Sequence, residues 1–444
     1  MRHGIILLLM LAASPAAAQL LPGGLGQLPG QALGTVGGVA GPLGAPLAGP
    51  LGAAKAALPQ PSEPLGIANF AADTVMPDAR SLLAARRDRQ RDLIRSSGNA
   101  LFADPQGNPA RQGEILAVGI GDADVRALLA SGFAVLRDTR GIDGVRVSVL
   151  QPPKGMNIKR ALRKLADITP GVAADYNHVY EPAGAGLRPM ALAPATGGAG
   201  GGSSTIGLID GGVGAHVSFA GASIEQRGFA GGVAATGHGT AIASLLVGRA
   251  PGFVGAAPGA RLLVADIYGG ATANGSAESI AAGLDWLGQK GARIINISLV
   301  GPANIVLARA ITALQACGVL VVAAVGNDGP AAPPMYPASY VGVIAVTGVD
   351  ARGKLLAEAG QAAHIDFASP GADMAAALRG GGYSAVRGTS FAAPLVTARL
   401  AMQPGDALAG VTAEAVPSGS RTGHGIVCGP CRNDPKLLVS KKSR

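Results

Sequence analysis

A chain of 444 residues, 48% of them hydrophobic, is longer than one domain usually runs and can bury a large core, so two folded units joined by linkers are expected. The net charge of +9 does not mark a polyanion binder: residues 203–405 carry 11 Lys and Arg against 10 Asp and Glu, and residues 71–190 carry 17 against 13, so the excess lies outside the first segment. No run approaches the ~20 apolar residues of a membrane-crossing helix, and neither a transmembrane span nor a nucleic-acid partner is expected.

The first 18 residues, with Arg2 and His3, the apolar stretch 5–11 and Ala16-Ala17-Ala18, have the layout of a secretory signal peptide. The expected location is therefore secreted or periplasmic. Residues 19–70 are Gly, Pro, Ala and Leu with almost no charge, too broken for regular structure, and read as a flexible segment.

From 71 to 188 the pattern becomes that of a small α+β unit. An arginine-rich helix over 80–95 leads to a strand at 114–119, a helix at 123–130, strands at 133–137 and 145–150, a helix at 157–167 and a strand at 172–180. In the helix at 157–167 Asn157 is the cap, and Ile158, Leu162 and Leu165 share one face. Strand, helix, strand, strand, helix, strand is the ferredoxin-like order. Residues 189–204 form a Gly-rich linker suited to a proteolytic cut.

Residues 205–405 alternate apolar strands (205–209, 261–267, 293–299, 319–325 and 342–347) with helices whose apolar residues recur at 3.6-residue spacing, such as Ile280, Leu284, Leu287 and Leu307, Ile311, Leu314. Strands apolar on both faces belong to a doubly wound, largely parallel α/β sheet. Sites in such sheets lie outside the carboxyl ends of the strands. Asp210 directly follows one strand, and Asn327 lies two residues after another.

Asp210, His238 and Ser390 are the residue types of a nucleophilic hydrolytic site. A serine hydroxyl needs a base to take its proton, and an imidazole needs a carboxylate to fix its tautomer. His238 lies between two glycines at the start of an apolar helix. Ser390 lies at a helix N-terminus, with Pro394 expected in the first turn. Each has a plainer reading: a capping serine for Ser390, a strand-end turn for Asp210, and an Asn-Asp-Gly turn for Asn327.

The chain order Asp, His, Ser and the strings Gly237-His238-Gly239-Thr240, Asn296-Ile297-Ser298-Leu299, Ala323-Ala324-Val325-Gly326-Asn327, Tyr336-Pro337-Ala338 and Gly388-Thr389-Ser390-Phe391-Ala392-Ala393-Pro394 resemble the subtilase family over about 204–405. The resemblance implies a serine endopeptidase that cleaves protein or peptide substrates through an acyl-enzyme on Ser390, with His238 as base and Asp210 as its partner. It further implies Asn327 and the Ser390 amide as oxyanion donors. Ser298, Leu299, Val300 and Gly326 would line the substrate strand. Residues 71–188 resemble the family's prosegment, implying a precursor that is its own partner and processes itself. No cofactor is required; calcium is common in the family, but no oxygen-ligand cluster is assigned to it or to any other metal.

Two departures stand out. The family has Asp-Ser-Gly or Asp-Thr-Gly where this chain has Asp210-Gly211-Gly212, which removes a hydroxyl beside the carboxylate. It commonly has Gly where this chain has Val300, which should narrow the primary pocket to small side chains.

His216, His364 and His424 are read as structural, packing or surface residues, and His178 falls in the small unit. Cys317 reads as a small core residue. In the tail 406–444, Cys428 and Cys431 suit a local disulfide in an exported protein, with a metal half-site or a redox pair as alternatives. The second function class is a catalytically latent secreted binding protein on the same scaffold.

Overall fold

The computed structural model describes residues 78–183, the backbone of 188–190, and 204–435. The expected signal peptide, the flexible segment, nearly all of the 189–204 linker and the basic end of the tail lie outside them. No helix among the described residues is long and apolar enough to cross a membrane.

Helix α1 (Ala79–Ser96) starts on Asp78, whose carboxylate accepts from the Ser81 amide at 2.7 Å. Strands β1 (Leu101–Ala103) and β2 (Pro109–Val118), helix α2 (Asp122–Ala130), strands β3 (Ala134–Arg140) and β4 (Arg146–Gln151), helix α3 (Ile158–Ile168) and strand β5 (Ala173–His178) follow. The antiparallel order β3-β4-β2-β5, with β1 beside the start of β2, is ferredoxin-like. Asn157 caps α3 through the Arg160 amide at 2.9 Å, and Ile158, Ala161 and Leu165 are buried. Strand β2 begins earlier than its apolar pattern: Pro109 to Arg111 pair with β1, and an irregularity between Ala110 and Ile115 shifts the register with β5.

Two short strands, β6 (Glu181–Pro182) and β7 (Arg188–Met190), precede β8 (Thr205–Asp210). The chain continues through β9 (Ile224–Gly228), α4 (Gly237–Val247), the small pair β10 (Arg249–Ala250) and β11 (Phe253–Val254), β12 (Arg261–Asp266), α5 (Ala277–Gln289), β13 (Ile294–Ile297), β14 (Leu299–Val300) and α6 (Ile305–Ala316). Then come β15 (Leu320–Ala324), β16 (Ile344–Val349), β17 (Phe367–Pro370), the hairpin β18 (Met374–Ala377) and β19 (Tyr383–Val386), α7 (Thr389–Met402) and α8 (Ala407–Glu414).

Seven parallel strands form the large sheet in the order β17-β16-β15-β13-β8-β12-β9. Its interior strands are buried along nearly their whole length, as their apolar runs require. The edge strands β9 and β17 were not legible: Ile224-Glu225-Gln226-Arg227-Gly228 is polar, and Phe367-Ala368-Ser369-Pro370 is short and ends in proline. One core cluster joins α4 and α7 to one face, and a second joins α5 and α6 to the other. Because β12 and β13 lie on either side of β8, the carboxyl end of β8 is the switch point of the sheet.

The small unit lays its sheet against α5 and α6, with Leu116 and Val149 entering the second cluster. Polar contacts frame that apolar seam. Arg137 binds Glu278 through two hydrogen bonds of 2.7 Å, Asp175 accepts from the Ile305 amide at 3.1 Å, and Asp285 accepts from the Ile142 amide at 3.0 Å.

Cys317 is exposed, not a core residue. It is the C-cap of α6, and the chain turns away at Gly318 (φ 76°) before the next core position. Cys428 and Cys431 form a disulfide with Cα atoms 5.2 Å apart. The tail around them is docked: Val427 is fully buried and its amide donates to Ala368 O at 2.8 Å.

Candidate active site

Asp210 ends β8 with no exposed surface, its Oδ1 accepting from the Gly211 amide at 2.7 Å. Both its oxygens face His238 Nδ1, at 3.1 and 2.8 Å. His238 reaches it from the first turn of α4, whose cap Thr236 accepts from the Gly239 amide at 3.0 Å. Helix and strand end approach so closely that a Cβ on Gly239 would lie 2.2 Å from Gly211 O. The same crowding explains Asp210-Gly211-Gly212: a Cβ at 211 would lie 2.4 Å from Thr236 Oγ1 and Cγ2, so Thr236 fills the space that a side chain at 211 would need.

Ser390 is the second residue of α7, fully buried, after Gly388 at φ 137°. Pro394 is not in the first turn but one turn further on, inside the helix. A proline there lacks the N–H that would bond Ser390 O. That carbonyl instead accepts from Ser298 Oγ at 2.9 Å, tying the serine's backbone to the segment entering β14. The ring of Phe391, next to Ser390, lies 5.6 Å from the His238 ring.

Asn327 follows β15. Its Oδ1 accepts from the Thr389 amide at 3.0 Å, which orients the amide group and leaves Nδ2 unpaired. Thr389 Oγ1 also binds Gly326 N and O, each at 3.1 Å. Sequence reasoning gave no role to Thr389 or Thr236, although both stand beside assigned residues; their hydroxyls join segments distant in the chain.

His238 Nε2, Ser390 Oγ and Asn327 Nδ2 are thus buried polar atoms without hydrogen-bond partners, from three separate parts of the sequence. Each such atom costs roughly 1–3 kcal/mol, and folds keep them where a reacting group is to be received. The structure brings Asp210 and His238 into contact and joins Asn327 to the Ser390 helix; Ser390 Oγ and His238 Nε2 are not yet hydrogen-bonded to each other.

The remaining histidines among the described residues are held elsewhere. His216 binds Ser218 Oγ (2.8 Å) and Gly382 O (2.6 Å), His364 binds Val343 O (2.8 Å), His424 stacks near Phe367, and His178 pairs with Asp104 (3.1 Å). No group of three or more His, Cys, Asp or Glu fit to hold a metal occurs among the described residues.

Beside these groups a peptide strand is already in place. Leaving β5, Val179 bridges to Ser276, the Tyr180 amide donates to Gly275 O at 2.8 Å, Glu181 and Pro182 pair antiparallel with Val300 and Leu299, and the Ala183 amide donates to Ser298 O at 2.9 Å. Tyr180 is fully buried against Gly301 and donates to Pro302 O at 2.7 Å. Ala183 shares a buried cluster with Val300 and Met335.

The sequence profile of the Subtilase family matches residues 201–414. Subtilisin DY of Bacillus licheniformis is 30% identical over 206 residues, 44% of this chain and 75% of its own length. The chain belongs to the subtilase family. Subtilisin Savinase of Lederbergia lenta is 36% identical over 169 residues, 37% of this chain, which spans 62% of that protein's length; for an alkaline protease of Alkalihalobacillus alcalophilus the identity is again 36%, over 44% of the relative. Among solved structures, fervidolysin from Fervidobacterium pennivorans superposes on 74% of this chain and 61% of its own with a TM-score of 0.60 at 20% identity, a likeness of fold.

Proposed function

We propose that this subtilase is an exported serine endopeptidase, made as a precursor in which the small unit acts as prosegment up to Ala183, and that it cuts itself between Ala183 and Gly184 rather than in the 189–204 linker. The observation that carries the reading is the strand 179–183. It lies on Ser298 and Val300 as an extended substrate would, by main-chain hydrogen bonds of the strand-addition type. Ser298 receives the Ala183 amide on its carbonyl and holds the Ser390 carbonyl with its hydroxyl, so one residue links the peptide to the nucleophile's helix.

In the reaction Ser390 Oγ attacks the carbonyl carbon of the residue before the scissile bond while His238 Nε2 takes the hydroxyl proton. Asp210 holds Nδ1–H and balances the imidazolium. The negative oxygen of the tetrahedral intermediate is received by Asn327 Nδ2 and the Ser390 amide. Collapse breaks the C–N bond, and the imidazolium gives its proton to the departing amine. Water, deprotonated by the same imidazole, then releases the acyl group and restores Ser390.

The decisive comparison is between wild-type chain and Ser390→Ala, expressed alike. The wild type is expected to react with a fluorophosphonate probe and yield a fragment beginning at Gly184, and Ser390→Ala to do neither. Identical processing of both chains, with neither labelled, would leave the latent binding protein as the better reading.

A further inference from the structure

Next to the oxyanion candidate stands a buried carboxylate that the mechanism does not use, Asp328. It follows Asn327, is 4% exposed, and among the described residues its charge is met by no cation of its own unit. Both of its partners come from α1, more than 200 residues earlier in the chain: Arg86 Nε at 3.4 Å and the guanidinium of Arg89. Arg86 is itself 9% exposed, and Leu82 of the same helix is buried against Gly329. The helix therefore seats an apolar foot and two cations on the loop after β15.

Glu181, paired with Val300, lies within the field of the same charges. Burial raises its pKa, the two arginines oppose that shift, and Asp328 adds to it. The pairing partner of Glu181, Val300, packs 3.2 Å from where a Cβ of Gly326 would stand, two residues before Asp328, so the strand position of Glu181 lies next to the loop that carries Asp328. When α1 leaves, Asp328 keeps its place beside the peptide strand but loses both counter-charges. A carboxylate left without a partner favours an incoming cation and disfavours a second anion.

We propose that Asp328 selects the charge of the substrate residue two positions before the one that supplies the scissile carbonyl, the position held by Glu181 in the precursor, favouring Arg or Lys there, and that Arg86 and Arg89 fill this acceptor in the precursor. The inference rests on the endopeptidase reading and specifies its substrate class: peptides with a basic side chain at that position. It also gives α1 a role in release, since an acidic Glu181 is compatible with Asp328 only while the helix is docked.

Processed enzyme is assayed on peptides Tyr-X-Pro-Ala-Gly-Leu with X as Arg, Gln or Glu. The expected kcat/KM order is Arg, Gln, Glu, with about a tenfold span carried mainly by KM, shrinking in high salt and vanishing in Asp328→Asn. Equal rates for the three peptides, or the same order in Asp328→Asn, would overturn the assignment. A second measurement does not depend on catalysis. In the uncut Ser390→Ala chain, Arg86→Ala with Arg89→Ala should speed hydrogen exchange of the amides of Tyr180, Glu181 and Ala183, and adding Asp328→Asn should slow it again. No rise, or no return, overturns the proposal even if every peptide is left intact, an outcome that by itself would count against the endopeptidase reading.

Discussion

Ser390, His238 and Asn327 each present one buried polar atom that nothing in the fold satisfies, and the residues around them explain why those atoms stay free. Thr389 occupies the oxygen of Asn327, Asp210 occupies Nδ1 of His238, and Ser298 occupies the carbonyl of Ser390. What is left over in each case is the group a hydrolytic mechanism uses. Val300 is the candidate wall beside the proposed cut: it is 8% exposed, lies 3.2 Å from where a Cβ of Gly326 would stand, and shares its cluster with Ala183. Val300→Gly should open that space and raise the kcat/KM for Phe relative to Ala before the scissile bond by about tenfold. A peptide-library profile in which the variant keeps the wild-type preference would show that Val300 is not the wall.

The strand 179–183 is anchored less by its own short pairing than by the Tyr180 ring. A Cβ on Gly301 would stand 2.4 Å from Tyr180 Cδ1, and no rotation of a buried ring relieves such an overlap cheaply. Gly301→Ala in the Ser390→Ala chain is expected to weaken the docked strand by about 1–3 kcal/mol, read as faster hydrogen exchange of the amides at 180–183. Unchanged exchange would move the anchor to the main-chain pairs. At α7 the same logic runs through Pro394: a helix-breaking residue persists because Ser298 Oγ takes over the carbonyl it orphans. The Gly-Thr-Ser-x-Ala-x-Pro string contains the proline in plain view, but its partner comes from 92 positions earlier in the chain, which no local pattern could supply.

The small unit and the large one are held by an apolar seam with carboxylates along it, and one of these makes the assembly sensitive to pH. Burial pushes the Asp285 carboxyl up to about 6, against the Ile142 hydrogen bond that favours its charge and with Asp143 adding repulsion. A carboxyl whose folded value exceeds its unfolded value of 3.8 binds its proton more tightly in the native chain. Its contribution is therefore most favourable below that value and is lost as pH rises through about 6. Asp285→Asn keeps the acceptor for Ile142 and removes the charge. In the uncut Ser390→Ala chain the Tm difference should be near zero at low pH and grow in favour of Asp285→Asn toward pH 8. A difference that does not change with pH would mean that Asp285 ionises as an exposed carboxyl does.

Periodicity and turn chemistry were enough for seven of the eight elements of the small unit (short β1 was missed), the interior strands of the large sheet, and the three motif segments, because each depends on neighbours within a few residues. Asn157 as a cap and the fully apolar strand runs are such local facts. The edge strands β9 and β17, the exposure of Cys317 and the true place of Pro394 were not legible, since pairing at an edge and the direction of a chain after a helix end depend on what lies alongside. The chemistry of Asp210, His238 and Ser390 could be named from residue types and order, whereas the filling of the space at Gly211 by Thr236, the linking of Ser298 to Ser390 and the meeting of Arg86 and Arg89 with Asp328 came only from packing. A one-dimensional pattern records what each segment would prefer; which side chain fills which gap is decided by distances between segments that the chain order does not contain.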